Sequence, residues 1–165
     1  KVLALDISQE KLDQLGQVGI NETLNISGMD VREIKKVVKE KCQEMGAPSN
    51  RWKIYEMSGT KSGQELAYAL MGIASTLSIV GFTMDKLEVR LSNLMAFDAN
   101  IIGTWGCKPE LYADVLQLVA EEKLKIKPFT ESFPISEINT VFKNTLDHKL
   151  KKRSVMIPDF KQIGE

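Results

Sequence analysis

The chain has 165 residues, of which 43% are hydrophobic and 27% are charged, and its 22 basic and 22 acidic side chains leave no formal net charge. This balance gives no electrostatic reason to expect nucleic acid or an anionic membrane surface as a partner, and no apolar run approaches the roughly 18 residues needed to cross a bilayer. Two cysteines and one histidine exclude a disulfide framework, an all-cysteine zinc site and a two-histidine metal site, and the sparse cysteines predict a reducing, cytoplasmic location.

Short apolar runs alternate with segments of helical periodicity along the chain. In chain order, we predict a strand at 2–6, a helix at 9–15, a strand at 22–26, a helix at 30–45, a strand at 52–57, a helix at 62–71, strands at 76–82 and 100–105, helices at 110–122 and 134–148, and a strand at 155–157. Ser8 is predicted to cap the first helix, and Asp30, followed by Glu33, the second. Residues 86–97 alternate only in part and are assigned no element.

The alternation of strands and helices predicts an α/β fold, a Rossmann-like, doubly wound and mostly parallel sheet that is covered on both faces. The length and the absence of any linker predict one domain over 1–165. Because the sequence begins inside the first predicted strand, with no lead-in, we expect the chain to be a fragment of a longer protein.

Asp6 ends the first predicted strand, and ligands of doubly wound sheets bind at the carboxyl ends of the strands. A carboxylate at that edge can accept hydrogen bonds from both ribose hydroxyls of a nucleotide, and it would repel a 2′-phosphate, which favours NAD over NADP. Lys11, in the following helix, could reach the same ribose. The alternative is that Asp6 only caps the helix together with Ser8.

Three later strands end in small residues, which let the backbone approach a ligand closely. Together they predict a groove across the sheet edge, lined by Ser58 and Gly59, by Val80, Gly81 and Phe82, and by Gly103, Thr104 and Trp105. The alternative is that each glycine only makes a tight turn. Residues 58–63 superficially resemble a phosphate loop, but no Lys-Ser/Thr follows Gly63 as that motif requires, so the pattern is weak evidence for a triphosphate site, although the backbone amides could still face an anion.

Arg153 belongs to a basic run before the last predicted strand. An arginine there could bind a pyrophosphate in bidentate fashion. The alternative is that the basic run is a solvated helix end whose charges complement the helix dipole. His148 has no evident partner for general-base chemistry, and Cys107 is predicted to be a spectator thiol. We therefore predict no catalytic residue and no metal ligand in this chain.

These motifs together resemble the cofactor-binding half of the medium-chain, zinc-type alcohol dehydrogenases, over nearly the whole chain. The resemblance implies that Asp6 and Lys11 bind the adenosine ribose of NAD, that the glycine-rich strand ends contact its nicotinamide half largely through the backbone, and that Arg153 reaches the pyrophosphate. It also implies pairing of 100–105 across a two-fold axis, in a homodimer or homotetramer. Segments 88–99, 103–112 and 148–153 resemble a member that oxidises an alicyclic hydroxyacyl-CoA, which implies an acyl-CoA alcohol as the substrate.

The family's glycine-rich turn and its zinc ligands precede the point at which this sequence begins. We therefore expect zinc only in the parent protein, and we expect the fragment to be inactive alone. We also expect the sheet, whose strand order in this family would be 3-2-1-4-5-6, to lack strand 1, which lies at its centre. Two alternatives remain open. One is a domain like those of S-adenosylmethionine methyltransferases, which also bind a ribose through an acidic side chain at the second strand. The other is a non-catalytic oligomerisation module.

Overall fold

The structure, a computed structural model, describes residues 1–147 and 149–158. Within these residues seven strands alternate strictly with six α-helices. The elements are β1 (Leu3–Asp6), α1 (Gln9–Leu15), β2 (Glu22–Asn25), α2 (Val31–Glu44), β3 (Lys53–Glu56), α3 (Lys61–Ala69), β4 (Thr76–Ile79), α4 (Ser92–Phe97), β5 (Asn100–Gly103), α5 (Leu111–Ala120), β6 (Thr130–Pro134), α6 (Ile138–Leu146) and β7 (Arg153–Ile157). The predicted α/β class with parallel strands is confirmed.

Every strand pair in the described chain is parallel, but the strands form three separate sheets. β1 pairs with β2, β3 pairs with β4 and β4 with β5, and β6 pairs with β7. No described strand joins β1 to β3, so each of these strands has one partner only.

The chain divides into two compact units, one of residues 1–107 and a second that begins at residue 108. In the first unit, a buried cluster of Ala67, Met71 and Leu77 joins α3 to β4. Ile54 of β3 and Leu94 of α4 pack against this cluster, so that α3 and α4 fix the central strand of the three-stranded sheet. No helix in the described part of the chain is long and apolar enough to span a membrane.

Both predicted helix caps are confirmed. The Asp30 side chain accepts a hydrogen bond from the backbone N–H of Glu33 at 2.8 Å, and the hydroxyl of Ser8 accepts one from the N–H of Lys11 at 3.4 Å. Each cap satisfies a backbone donor that the first helical turn leaves without a partner. On α2, Ile34 and Val38 are buried, as the helical spacing of the apolar residues predicts.

Two elements were not predicted, and two others are shorter than predicted: β4 ends at Ile79 and not at residue 82, and α6 begins at Ile138 and not at residue 134. Residues 92–97, for which the sequence pattern predicts no element, form α4, whose Leu94 supplies an apolar contact that stabilises a short helix. Residues 130–134 form β6, which pairs with β7. The pattern does not predict this strand because Glu131, Ser132 and Pro134 interrupt any apolar run.

Candidate functional site

The carboxyl ends of β3, β4 and β5 lie side by side. Their register aligns Glu56 with Ile79 and Ile79 with Gly103. The segments that follow are tied to this edge: the N–H of Gly81 donates to the carbonyl of Glu56 at 3.0 Å, and the N–H of Thr104 donates to that of Ile79 at 3.0 Å. The predicted glycine-ended strands are therefore neighbours at one sheet edge.

The turns after β3 and β4 are in direct backbone contact. A Cβ on Gly81 would lie only 2.2 Å from the Gly59 nitrogen, and a Cβ on Gly59 would lie 2.8 Å from the Phe82 carbonyl oxygen. Gly59 also has a φ of 64°, which side chains disfavour. Glycine is thus required at both positions by the close approach of the two backbones, and at Gly59 also by the positive φ of the turn.

The residues around this contact are open to a ligand. Phe82 is 68% exposed and Val80 is exposed as well, while Gly59 and Gly81 are not fully buried. Ser58 is exposed, and its hydroxyl donates a hydrogen bond to Oε1 of Glu56 at 2.5 Å. The contact between the two turns is therefore accessible from solvent.

The third strand end contributes differently. A Cβ on Gly103 would meet nothing within 4 Å, so the structure gives no steric reason for glycine at this position. Trp105 is 92% exposed. An indole exposed to this extent has no packing role within the described chain, although Thr104 beside it is fixed by its backbone bond to β4.

Asp6 is the last residue of β1, where Asn25 pairs with it in β2. One carboxylate oxygen accepts a hydrogen bond from the N–H of Ser8 at 2.8 Å, so the capping alternative is part of its role. This bond uses the Oδ1 atom, and the residue is half-buried. Lys11 is exposed in the first turn of α1. Asp6 can thus orient the turn and still accept a ligand hydroxyl.

Arg153 begins β7 and belongs to the second compact unit, in which it is exposed. It pairs in register with Thr130 of β6. Its role toward a pyrophosphate stays a prediction. His148 lies outside the described residues.

The two cysteines differ in burial. Cys42 on α2 is half-buried, and desolvation raises the pKa of its thiol. Cys107 is exposed. Among residues 1–147 and 149–158, no group of three or more His, Cys, Asp or Glu side chains is arranged to hold a metal ion.

Glu56 is a site residue that sequence reasoning missed. It is 4% exposed at the end of β3, and both turns of the groove are hydrogen-bonded to it. The signal was present in the sequence as a single acid inside an otherwise apolar strand ending, Ile54-Tyr55-Glu56-Met57.

A separate cavity of about 240 Å³ lies near the amino ends of the strands. Trp52 and Ser75, which line it, directly precede β3 and β4. It is therefore distinct from the groove at the carboxyl ends of these parallel strands, where ligands of doubly wound sheets bind.

Comparisons with known proteins agree with this architecture. The family described as zinc-binding dehydrogenase matches residues 1–121. D-xylulose reductase of Saccharomyces cerevisiae is 22% identical over 158 residues, which cover 94% of this chain and 43% of that protein.

Solved structures show the same fold. Galactitol-1-phosphate dehydrogenase from Escherichia coli superposes with a TM-score of 0.78 at 22% identity, covering 96% of this chain and 46% of that one. An alcohol dehydrogenase from Thermotoga maritima gives a TM-score of 0.81 at 16% identity, covering 96% and 43%. The chain thus spans less than half the length of these relatives. The family match covers well over half of this chain, which therefore belongs to the zinc-binding dehydrogenase family, among the medium-chain alcohol dehydrogenases.

Proposed function

We propose that this chain is the NAD-binding part of a medium-chain dehydrogenase that oxidises a secondary alcohol. The observation that carries the proposal is the contact between the Gly59 and Gly81 turns at the carboxyl edge of the sheet, in a chain of this family. Two backbones in such close approach form a surface without side chains against which a flat ring can lie. The nicotinamide, when bound, accepts the hydride from the alcohol carbon.

Asp6 supports the preference for NAD. With one oxygen held by the N–H of Ser8, its carboxylate is oriented and its second oxygen can accept a ribose hydroxyl. The negative charge opposes a 2′-phosphate. Lys11, exposed on α1, and Arg153, at the start of β7, are proposed to contact the ribose and the pyrophosphate, respectively.

The test is calorimetric titration of the full chain with NAD, NADP and S-adenosylmethionine. We expect NAD to bind more tightly than NADP, and Asp6→Ala to weaken NAD binding about tenfold, as loss of a charge-assisted hydrogen bond predicts. Asp13→Ala is the matched control, because Asp13 is exposed on α1 and accepts its hydrogen bond from Gln9 of the same helix. Binding of S-adenosylmethionine instead would favour the methyltransferase-like alternative, and binding of none of the three would favour an oligomerisation module.

We expect the 165-residue chain to bind NAD without oxidising an alcohol by itself. Alcohol oxidation requires a Lewis acid or a general acid on the hydroxyl oxygen, and the described residues offer no group of metal-ligating side chains. Formation of NADH that depends on added alcohol, by the purified chain alone, would overturn this expectation.

For the substrate, we propose an alicyclic hydroxyacyl-CoA. The support is the resemblance of 88–99, 103–112 and 148–153 to 6-hydroxycyclohex-1-ene-1-carbonyl-CoA dehydrogenase, an enzyme of anaerobic benzoyl-CoA breakdown. A protein that carries this chain together with a catalytic half should reduce NAD with that hydroxyacyl-CoA at a far higher kcat/KM than with a polyol. The reverse preference would exclude the CoA substrate.

We further propose that two copies pair through β5. Within the described sheet this strand pairs only with β4, and its Ile101 and Ile102 are exposed, although strands of parallel sheets are usually buried on both faces. Sedimentation at micromolar concentration should show a dimer or a tetramer. Ile102→Lys should shift it toward monomer, whereas Val31→Lys, a change at an exposed position on α2, should not. A monomeric wild type would refute the pairing.

A further inference from the structure

Glu56 is a buried carboxylate with an unusual distribution of hydrogen bonds. Its Oε1 atom accepts three: from the N–H of Ser58 at 2.8 Å, from the Ser58 hydroxyl at 2.5 Å and from the N–H of Gly59 at 3.2 Å. Its Oε2 atom is buried and has no donor among the described residues. Burying a charge is costly unless the surroundings compensate for it. The three bonds to Oε1 make this side chain a hydrogen-bond acceptor for the turn after β3, besides its place in the core.

The same residue also holds the second turn of the groove. The backbone carbonyl of Glu56 accepts hydrogen bonds from the N–H groups of Val80 at 2.9 Å and of Gly81 at 3.0 Å. Its side chain therefore fixes the turn after β3, and its main chain fixes the turn after β4. One residue thus ties both turns of the groove to the end of β3.

The carboxylate lies in the space that two missing side chains leave. A Cβ on Gly81 would be 2.7 Å from Oε2, and a Cβ on Gly63, in the first turn of α3, would be 3.0 Å from Oε1. The amino end of a helix favours negative charge, so its position beside the first turn of α3 compensates part of the charge on Glu56. Gln64 of α3 adds a bond from its side-chain amide to the Gly81 carbonyl at 3.1 Å.

We propose that Glu56 is the positioning residue for the nicotinamide half of the cofactor. By accepting hydrogen bonds from Ser58 and Gly59, Glu56 holds the turn after β3 in contact with Gly81 and Phe82. It thereby positions the backbone surface on which the ring lies. Glu56 itself is 4% exposed and acts through these turns without touching the ligand. This inference rests on the proposed function of the same groove.

The role predicts a selective loss of binding. Glu56→Ala removes the acceptor, so the turn after β3 relaxes and NAD binding weakens about tenfold or more, as loss of several bonds to a charged group predicts. ADP-ribose, which lacks the nicotinamide, should keep its affinity within about twofold, since Asp6 and the ribose edge are unchanged. Glu56→Gln retains an acceptor oxygen at the Oε1 position and should restore NAD affinity to within about threefold of wild type.

The experiment combines calorimetry of the full chain and three variants (Glu56→Ala, Glu56→Gln and the control Glu40→Ala) with amide hydrogen exchange. The side chain of Glu40 lies on the exposed face of α2, 54% accessible, and should behave as wild type. Exchange at the N–H groups of Ser58 and Gly59 should quicken in Glu56→Ala and stay slow in Glu56→Gln. This readout needs no ligand.

The outcomes separate the two proposals. Equal weakening of NAD and ADP-ribose in Glu56→Ala, or unchanged exchange at Ser58 and Gly59, would overturn the positioning role. A glutamine variant as weak as the alanine variant would also overturn it, because it would show that an acceptor alone is insufficient. If wild type binds neither ligand, the proposed function fails, and the exchange data still decide whether Glu56 holds the turn.

Discussion

Replacing Gly81 by alanine tests the contact on which the proposed groove depends. The added Cβ would lie 2.2 Å from the Gly59 nitrogen and 2.6 Å from its Cα, and both are backbone atoms that no rotamer change can move aside. One of the two turns must therefore shift. Overpacking of this kind costs about 2 kcal/mol, which for a chain of this length lowers Tm by roughly 4–8 °C.

Gly16→Ala is the matched control. Gly16 has a φ of −57°, and a Cβ at this position would meet no atom within 4 Å. Alanine there should leave stability unchanged or raise it by about 0.4–1 kcal/mol, because it restricts the unfolded chain. Thermal unfolding followed by circular dichroism measures both variants. If Gly81→Ala melts within about 1 °C of wild type, or if Gly16→Ala is destabilised as strongly, the close contact of the two turns is not a feature of the folded protein.

Two further predictions concern the rest of the first unit. Asp30→Ala removes the acceptor for the N–H of Glu33 and should lower the free energy of unfolding by about 1 kcal/mol in urea titrations, whereas Asp30→Asn, which keeps an acceptor, should cost much less. Because burial raises the pKa of the Cys42 thiol, its reactive thiolate forms at a higher pH in the folded chain than in the unfolded one. In a Cys107→Ser background at about pH 8, alkylation of Cys42 should therefore be slower without denaturant than in concentrated urea, and equal rates would contradict the burial.

Sequence patterns predicted those features that depend on neighbouring residues. The capping interactions of Ser8 and Asp30 join residues three apart, and the apolar stripe of α2 follows from helical periodicity alone. The glycine-ended strands at one edge were also predictable, since parallel strands joined by helices bring their carboxyl ends to the same side. Their register, with Glu56, Ile79 and Gly103 aligned, confirms that they are neighbours.

The sequence by itself determined the α/β alternation and the parallel class of the sheets, because hydrophobic periodicity and caps are local signals. Only the tertiary structure decided which turns touch, since the contact of Gly59 with Gly81 joins residues that are far apart in the chain. It also decided that Glu56 is buried with one carboxylate oxygen bonded three times and the other not at all within the described residues. A lone acid in an apolar strand ending marks Glu56 in the sequence, but its burial and its bonding are set by packing against residues distant in the chain.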